Sequence, residues 1–178
     1  MISEEYRAMR ATIRERGTAR MVLLPLTFIG WAATAVAATA AIGVAVSTVL
    51  PLLVLVAGFE AIFALHVNVE RIGRYLQVYY EGSSDGPQWE TTCMLVGPAL
   101  PGGGVDPLFT LMLGSAALVN VIPALQPLPG RGELVVIAAL HAAFLGRLAR
   151  ARWAAARQRA VELESYRAIR SGPPAPRV

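Results

Sequence analysis

Between Met21 and Phe59 the chain runs for 39 residues without an Asp, Glu, Lys or Arg, bounded by Arg20 on one side and Glu60 on the other. An apolar helix crosses the roughly 30 Å hydrocarbon core of a bilayer in about 20 residues. The run is therefore too long for one crossing and fits two crossings joined by a tight turn. The first span is expected from about Met21 to Ile42, with Gly30 and Thr34, and Ala37 and Ala41, at four-residue spacings that let a neighbouring backbone approach closely. Residues 43–48 supply the turn. Thr48 followed by Pro51 fits a helix cap with proline in the first turn, where its missing N–H is harmless.

Ahead of this run, Ser3 can cap a helix over 2–16 that carries Glu4 and Glu5 in its first turn and Ile2, Tyr6, Met9 and Ile13 on one stripe. Gly17 and Thr18 are expected to interrupt it, so 1–20 reads as a cytoplasmic amphipathic helix separate from a first transmembrane hairpin over 21–81. With three acids among its five arginines and an apolar stretch far beyond 7 to 15 residues behind it, this leader is not a secretory signal. The second span begins near Val49, and its helical pattern continues through Arg71 to Glu81, about 33 residues or roughly 50 Å. It must project from the bilayer, with Tyr75, Tyr79 and Tyr80 suited to an interfacial belt.

Residues 82–106 form a Gly/Pro-rich cytoplasmic loop in which Met94 to Leu100 are apolar enough to lie on the headgroups, and a loop this long is functional or disordered. A second hairpin occupies 107–150, with a third span over Leu108 to Gln126, a turn over 127–132, and a fourth span over Glu133 to Ala149. That span runs into an arginine-rich helix, so 151–178 is a cytoplasmic extension ending in a disordered tail at Pro173-Pro174-Ala175-Pro176. The expected fold class is all-α: a polytopic membrane protein, a four-helix transmembrane bundle with cytoplasmic helical extensions at both termini.

Charge fixes the orientation. Five arginines precede the first span and seven lie between 147 and 170, whereas the two short turns hold only Arg131, so both termini are expected in the cytoplasm of a multi-pass cell-membrane protein. All 16 basic residues are Arg, a bias read as that of a GC-rich bacterial genome. The net charge of +4 sits beside apolar segments, where the anionic lipid bilayer is the nearer partner, so no nucleic acid is expected. The single cysteine, Cys93, excludes an intramolecular disulfide framework and a multi-cysteine metal site.

The candidate chemistry lies inside the spans. Wrapped at 100° per residue, Glu60, His66, Glu70, Arg71, Arg74, Gln77 and Glu81 fall within an arc of about 140° on the second helix. Glu60 is the anomaly, because a carboxylate within a span must be protonated, paired or facing water. His66 and His141 sit at matching distances inward of Arg71 and Arg147, and each follows Ala-Leu. Facing each other in a bundle they could ligate a haem or, with Glu60 or Glu70, a divalent metal; hydrogen bonds to Glu60, Glu70 or backbone carbonyls are the plainer use. His66, Glu70 and Arg74 form an i, i+4 ladder. Arg71, Arg74, Arg147, Arg150 and Arg152 read as interface and orientation residues. No nucleophile arrangement or phosphate loop is present, so no enzyme is expected. The expected function is a small structural or interaction subunit of a membrane complex, as a homo-oligomer or beside a larger membrane partner. A proton- or ion-conducting or transport-related protein using Glu60 and the histidines is the second expectation, and a haem or metal protein with His66 and His141 as ligands the third. Within this scheme, His141 is the first candidate partner for Glu60.

Overall fold

The computed structural model describes residues 3–41, 44–82, 88–96, 107–125 and 129–172, and the described residues contain helices and no strand. In order these are α1 (Glu4–Ala41), α2 (Val49–Tyr79), α3 (Trp89–Val96), α4 (Pro107–Val119) and α5 (Arg131–Ser171), with 3-10 turns at Ala45–Thr48 and Ile122–Leu125. The expected tail, the Gly102-Gly103-Gly104 run and most of the 82–106 loop lie outside the described residues.

Among the described residues, three helices are long and apolar enough to cross a membrane: α1, α2 with its leading turn, and α5. The third expected span is shorter, for α4 holds 13 residues, about 20 Å. Pro123 accounts for its end, since it has no N–H for an α-helical bond and disfavours helical geometry at the residue before it. The chain passes into the 3-10 turn there.

At the N-terminus the expected break does not occur. α1 is continuous through Gly17 and Thr18; Thr18 donates its hydroxyl to the Arg14 carbonyl, and a glycine's helix cost of about 1 kcal/mol is small against the packing of a 38-residue helix. Ser3 does cap it, its Oγ accepting the Tyr6 N–H. Thr48, by contrast, does not cap α2: its hydroxyl donates back to the Ala45 carbonyl.

α1 and α2 form a long antiparallel hairpin whose register runs from Ser3 against Tyr80, through Arg20 against His66, to Gly30 against Val54. α5 lies parallel to α2, with Phe144 on Phe59, Arg159 on Glu70 and Tyr166 on Tyr75. α4 runs antiparallel to α5, placing Gly114 by Leu145 and Asn120 by His141. The start of α1 and the end of α5 therefore share one end of the bundle. There Tyr6 of α1 packs on Tyr80 and Tyr166 of α5 on Tyr75 of α2.

The core joins Leu52, Leu55 and Phe59 of α2 to Leu113, Ala116 and Ala117 of α4 and Phe144, Leu148 and Ala151 of α5, with Phe28 and Trp31 of α1 packed against it. Small residues make the α1–α2 contact close. A Cβ at Gly58 would fall inside the van der Waals shell of Thr27, so part of the small-residue pattern is consumed within the chain. Ala37 and Ala41 remain exposed.

Candidate functional site

The polar face of α2 does not line a single path, because the neighbouring helices divide it between them. Glu60 is held by Arg147 of α5 through two bonds, Nε to Oε1 and Nη2 to Oε2, both 2.8 Å. A fork of this kind is among the stronger ion-pair geometries. The Arg147 guanidinium also lies over Phe59 and Phe63, 5.4 and 5.3 Å from the ring centroids. His141 is therefore not the partner of Glu60, in correction of the expectation above. Nor does Arg147 mark the level of Arg71, since it sits opposite a residue eleven positions earlier on α2.

Further along the same seam, Arg74 is only 5% exposed and lies between Glu70 and Glu162. Arg159 reaches Glu70, and Arg71 and Gln158 donate to Glu162. Glu162 lies 15 residues past Arg147, in the arginine-rich part of α5. Its burial works to raise its carboxyl pKa, but the bonds from Arg74 and Gln158 outweigh this and hold it below the usual carboxylate range. Removing one member of such a buried cluster strands a charge at about 3–5 kcal/mol, whereas the cluster's net stability is small, so its main effect is to fix register.

The end of α2 is closed by aromatic and acidic groups. Glu5 accepts from Tyr75 and Tyr80, whose rings pack with Tyr79, Tyr6 and Tyr166. The tyrosines assigned to an interfacial belt thus serve as a clamp between α1, α2 and α5. Glu81, 5% exposed, accepts the Glu90 and Thr91 N–H groups and so caps α3, placing a helix within the expected loop. Arg10 binds Glu90 at 2.6 Å; burial raises the Glu90 carboxyl against the opposing pull of that arginine.

At the other end of the bundle, Asn120 ties four elements together. Its Oδ1 accepts from Trp31 Nε1, and its Nδ2 donates to the Thr48 carbonyl and contacts His141 Nε2 at 3.1 Å. His141 Nδ1 lies 2.8 Å from the Ile137 carbonyl, so the geometry fits an Nδ1–H tautomer with Nε2 accepting. Both ring nitrogens are occupied. His66 instead meets Arg20, whose Nη1 is 3.1 Å from Nδ1, and so leaves the i, i+4 ladder, in which Glu70–Arg74 alone forms. On the register of the Glu60–Arg147 pair the two histidines are about twelve residues, roughly 18 Å, apart along the bundle. They do not face each other, and among the described residues no group of three or more His, Cys, Asp or Glu is placed to hold a metal.

A cleft opens between α1, α2, α4 and α5, lined by Arg20, His66, Thr110 and Arg152 and by apolar groups including Phe59 and Phe63. Arg150 and Arg152 are exposed. Asn120 and Trp31 carry interactions that the periodicity does not announce, although Asn120 is the lone amide in the apolar stretch 108–125. Comparison of the chain with models of known protein families, with curated proteins and with solved structures gives no match.

Proposed function

We propose that the chain is an integral membrane protein with four crossings and both termini in the cytoplasm, working as a small structural or interaction subunit of a membrane assembly. One observation carries this reading. A broad apolar surface, including Leu26, Ile29 and Val36 on α1, Leu111 and Leu118 on α4, and Val135 on α5, faces outward, while ion pairs gather toward the end that holds the start of α1 and the end of α5. Water would not tolerate a continuous belt of this kind, and lipid would cover it. α4 with its 3-10 turn would make the third crossing in chain order, short but buttressed by α2 and α5.

The subunit role rests on the way polar groups are used. Glu60 is neutralised by Arg147, and Asn120 and His141 are spent on fastening helices, which favours this role over conduction and over haem or metal ligation by His66 and His141. The projecting halves of α2 and α5, joined by the Arg74 cluster, and of α1, held to them by the tyrosine clamp, would form a rigid cytoplasmic stalk. The exposed α1 face with Val22, Ile29, Val36 and Ala37 is the surface offered to a second copy or a larger membrane partner.

Reporter fusions at residue 178 should be cytoplasmic, and cysteine labels at Val46 and Pro129, in a Cys93→Ser background, should be accessible from outside. A periplasmic C-terminus overturns the topology. Ala37→Cys in the same background should crosslink in membranes to itself or to a co-purifying protein, and a protein that stays monomeric and alone overturns the interaction role.

A further inference from the structure

We propose that the cleft between α1, α2, α4 and α5 binds an anionic phospholipid, with the phosphate held by Arg20 and Arg152 and part of one acyl chain against Phe59, Ile62 and Phe63. This rests on the membrane reading above. The cavity measures about 80 Å³, and its walls are apolar, from Met21 and Leu24 of α1 to Leu148 of α5. Such a volume admits a segment of one chain and leaves the rest of the lipid in the bilayer.

The polar lining is concentrated on one level. Arg20 meets His66 directly, and the Glu60–Arg147 alignment carries Arg152 to the same height on α5. Arg20 also marks the end of the charge-free stretch of α1, the depth at which headgroup phosphates lie. Donors from three helices thus line one apolar cleft, two of them in direct contact.

Their charge is uncompensated. Arg10, Arg71, Arg74, Arg147 and Arg159 each pair with a glutamate, whereas Arg20 contacts the His66 ring and neither it nor Arg152 meets a carboxylate among the described residues. Arg20 keeps further N–H groups free of His66, and His66, accepting at Nδ1, presents an Nε2–H. A phosphodiester supplies the missing anion and two free oxygens for a pair of guanidinium groups, and its attached chain supplies the apolar filling.

The test uses the full chain in a neutral maltoside, with binding of phosphatidylglycerol, phosphatidylcholine of the same chains, diacylglycerol and inorganic phosphate followed by native mass spectrometry and thermal shift. Phosphatidylglycerol should bind at least about tenfold more tightly than diacylglycerol, which lacks the phosphate and the charge-assisted hydrogen bonds it accepts, and more tightly than phosphatidylcholine, whose trimethylammonium group offsets the phosphate charge beside the two arginines. Arg152→Gln, at an exposed position with no ion pair to lose among the described residues, should remove most of that preference, as should Arg20→Gln. Leu24→Trp, which fills the cleft from its α1 side, should weaken phosphatidylglycerol binding. Equal binding of the two phospholipids, indifference to both arginine variants, or inorganic phosphate competing as well as the lipid would each overturn the site. Vesicle flotation of the same variants separates the two readings: protein that floats but ignores headgroup charge refutes the lipid site alone, and protein that stays in solution without detergent refutes the membrane reading.

Discussion

At the scale of single residues, the costly group in the apolar zone is Glu60, and its cost is met by Arg147. A lone charge at the centre of a membrane helix costs about 2.5–3.5 kcal/mol on insertion scales. Within the membrane reading, Glu60→Leu should therefore destabilise by about 2–3 kcal/mol by stranding Arg147, and Arg147→Leu should do the same to Glu60. The double variant Glu60→Leu/Arg147→Leu should recover much of the loss, because it leaves Phe59 and Phe63 against leucine. Thermal unfolding in detergent of the two singles and the double measures the coupling, and strictly additive losses would show that the pair does not act as one. That Glu60 needs a partner is legible from its position in the chain. The partner is not, because Arg147 looks like a flanking charge until the offset between α2 and α5 is known.

Among the elements, the α1–α2 hairpin depends on how closely two backbones approach at Thr27 and Gly58. A Cβ at Gly58 would lie 2.8 Å from the Thr27 Cβ itself, a backbone-linked atom that no rotamer change moves. Gly58→Ala gains helix propensity of about 1 kcal/mol, but overpacking at such a contact costs about 1–3 kcal/mol. The clash should win, so Gly58→Ala lowers the melting temperature and Thr27→Gly restores part of it. Gly30→Ala should be milder, since it meets only the Val54 Cγ1, at 3.3 Å. If Gly58→Ala raises stability, the close approach is not what holds the hairpin.

For the whole molecule, the Arg74 cluster decides how far the bundle stays ordered beyond its apolar half. Glu162 has a depressed carboxyl pKa in the folded chain, so it contributes stability above the unfolded value, about 4.3, and loses it as pH falls through the folded value. Glu90, raised by burial, acts in the opposite direction and gains relative stability as it protonates. Unfolding followed from pH 7 to 3 should show a loss below about pH 4.3 that Glu162→Gln diminishes and Glu90→Gln leaves in place. An unaltered acid profile in Glu162→Gln would mean that the cluster does not couple α2 to α5.

Much of the secondary structure was determined by the sequence alone, because helix and apolarity are local properties. The charge-free run, the continuation of α2 through Arg71 to Tyr79 and the passage of α5 into its arginine-rich half all follow from periodicity and charge placement along a single stretch. Local signals also misled where packing outweighs them, as in the helix that continues through Gly17. Tertiary structure alone decided the registers, since sliding one long helix along another changes no local pattern while exchanging every partner. The equal sequence distances of His66 and His141 from their arginines implied equal depth. The Glu60–Arg147 pair moves them about twelve residues apart, sending one to Arg20 at the edge of the charge-free stretch and the other to Asn120 at the opposite end of the bundle.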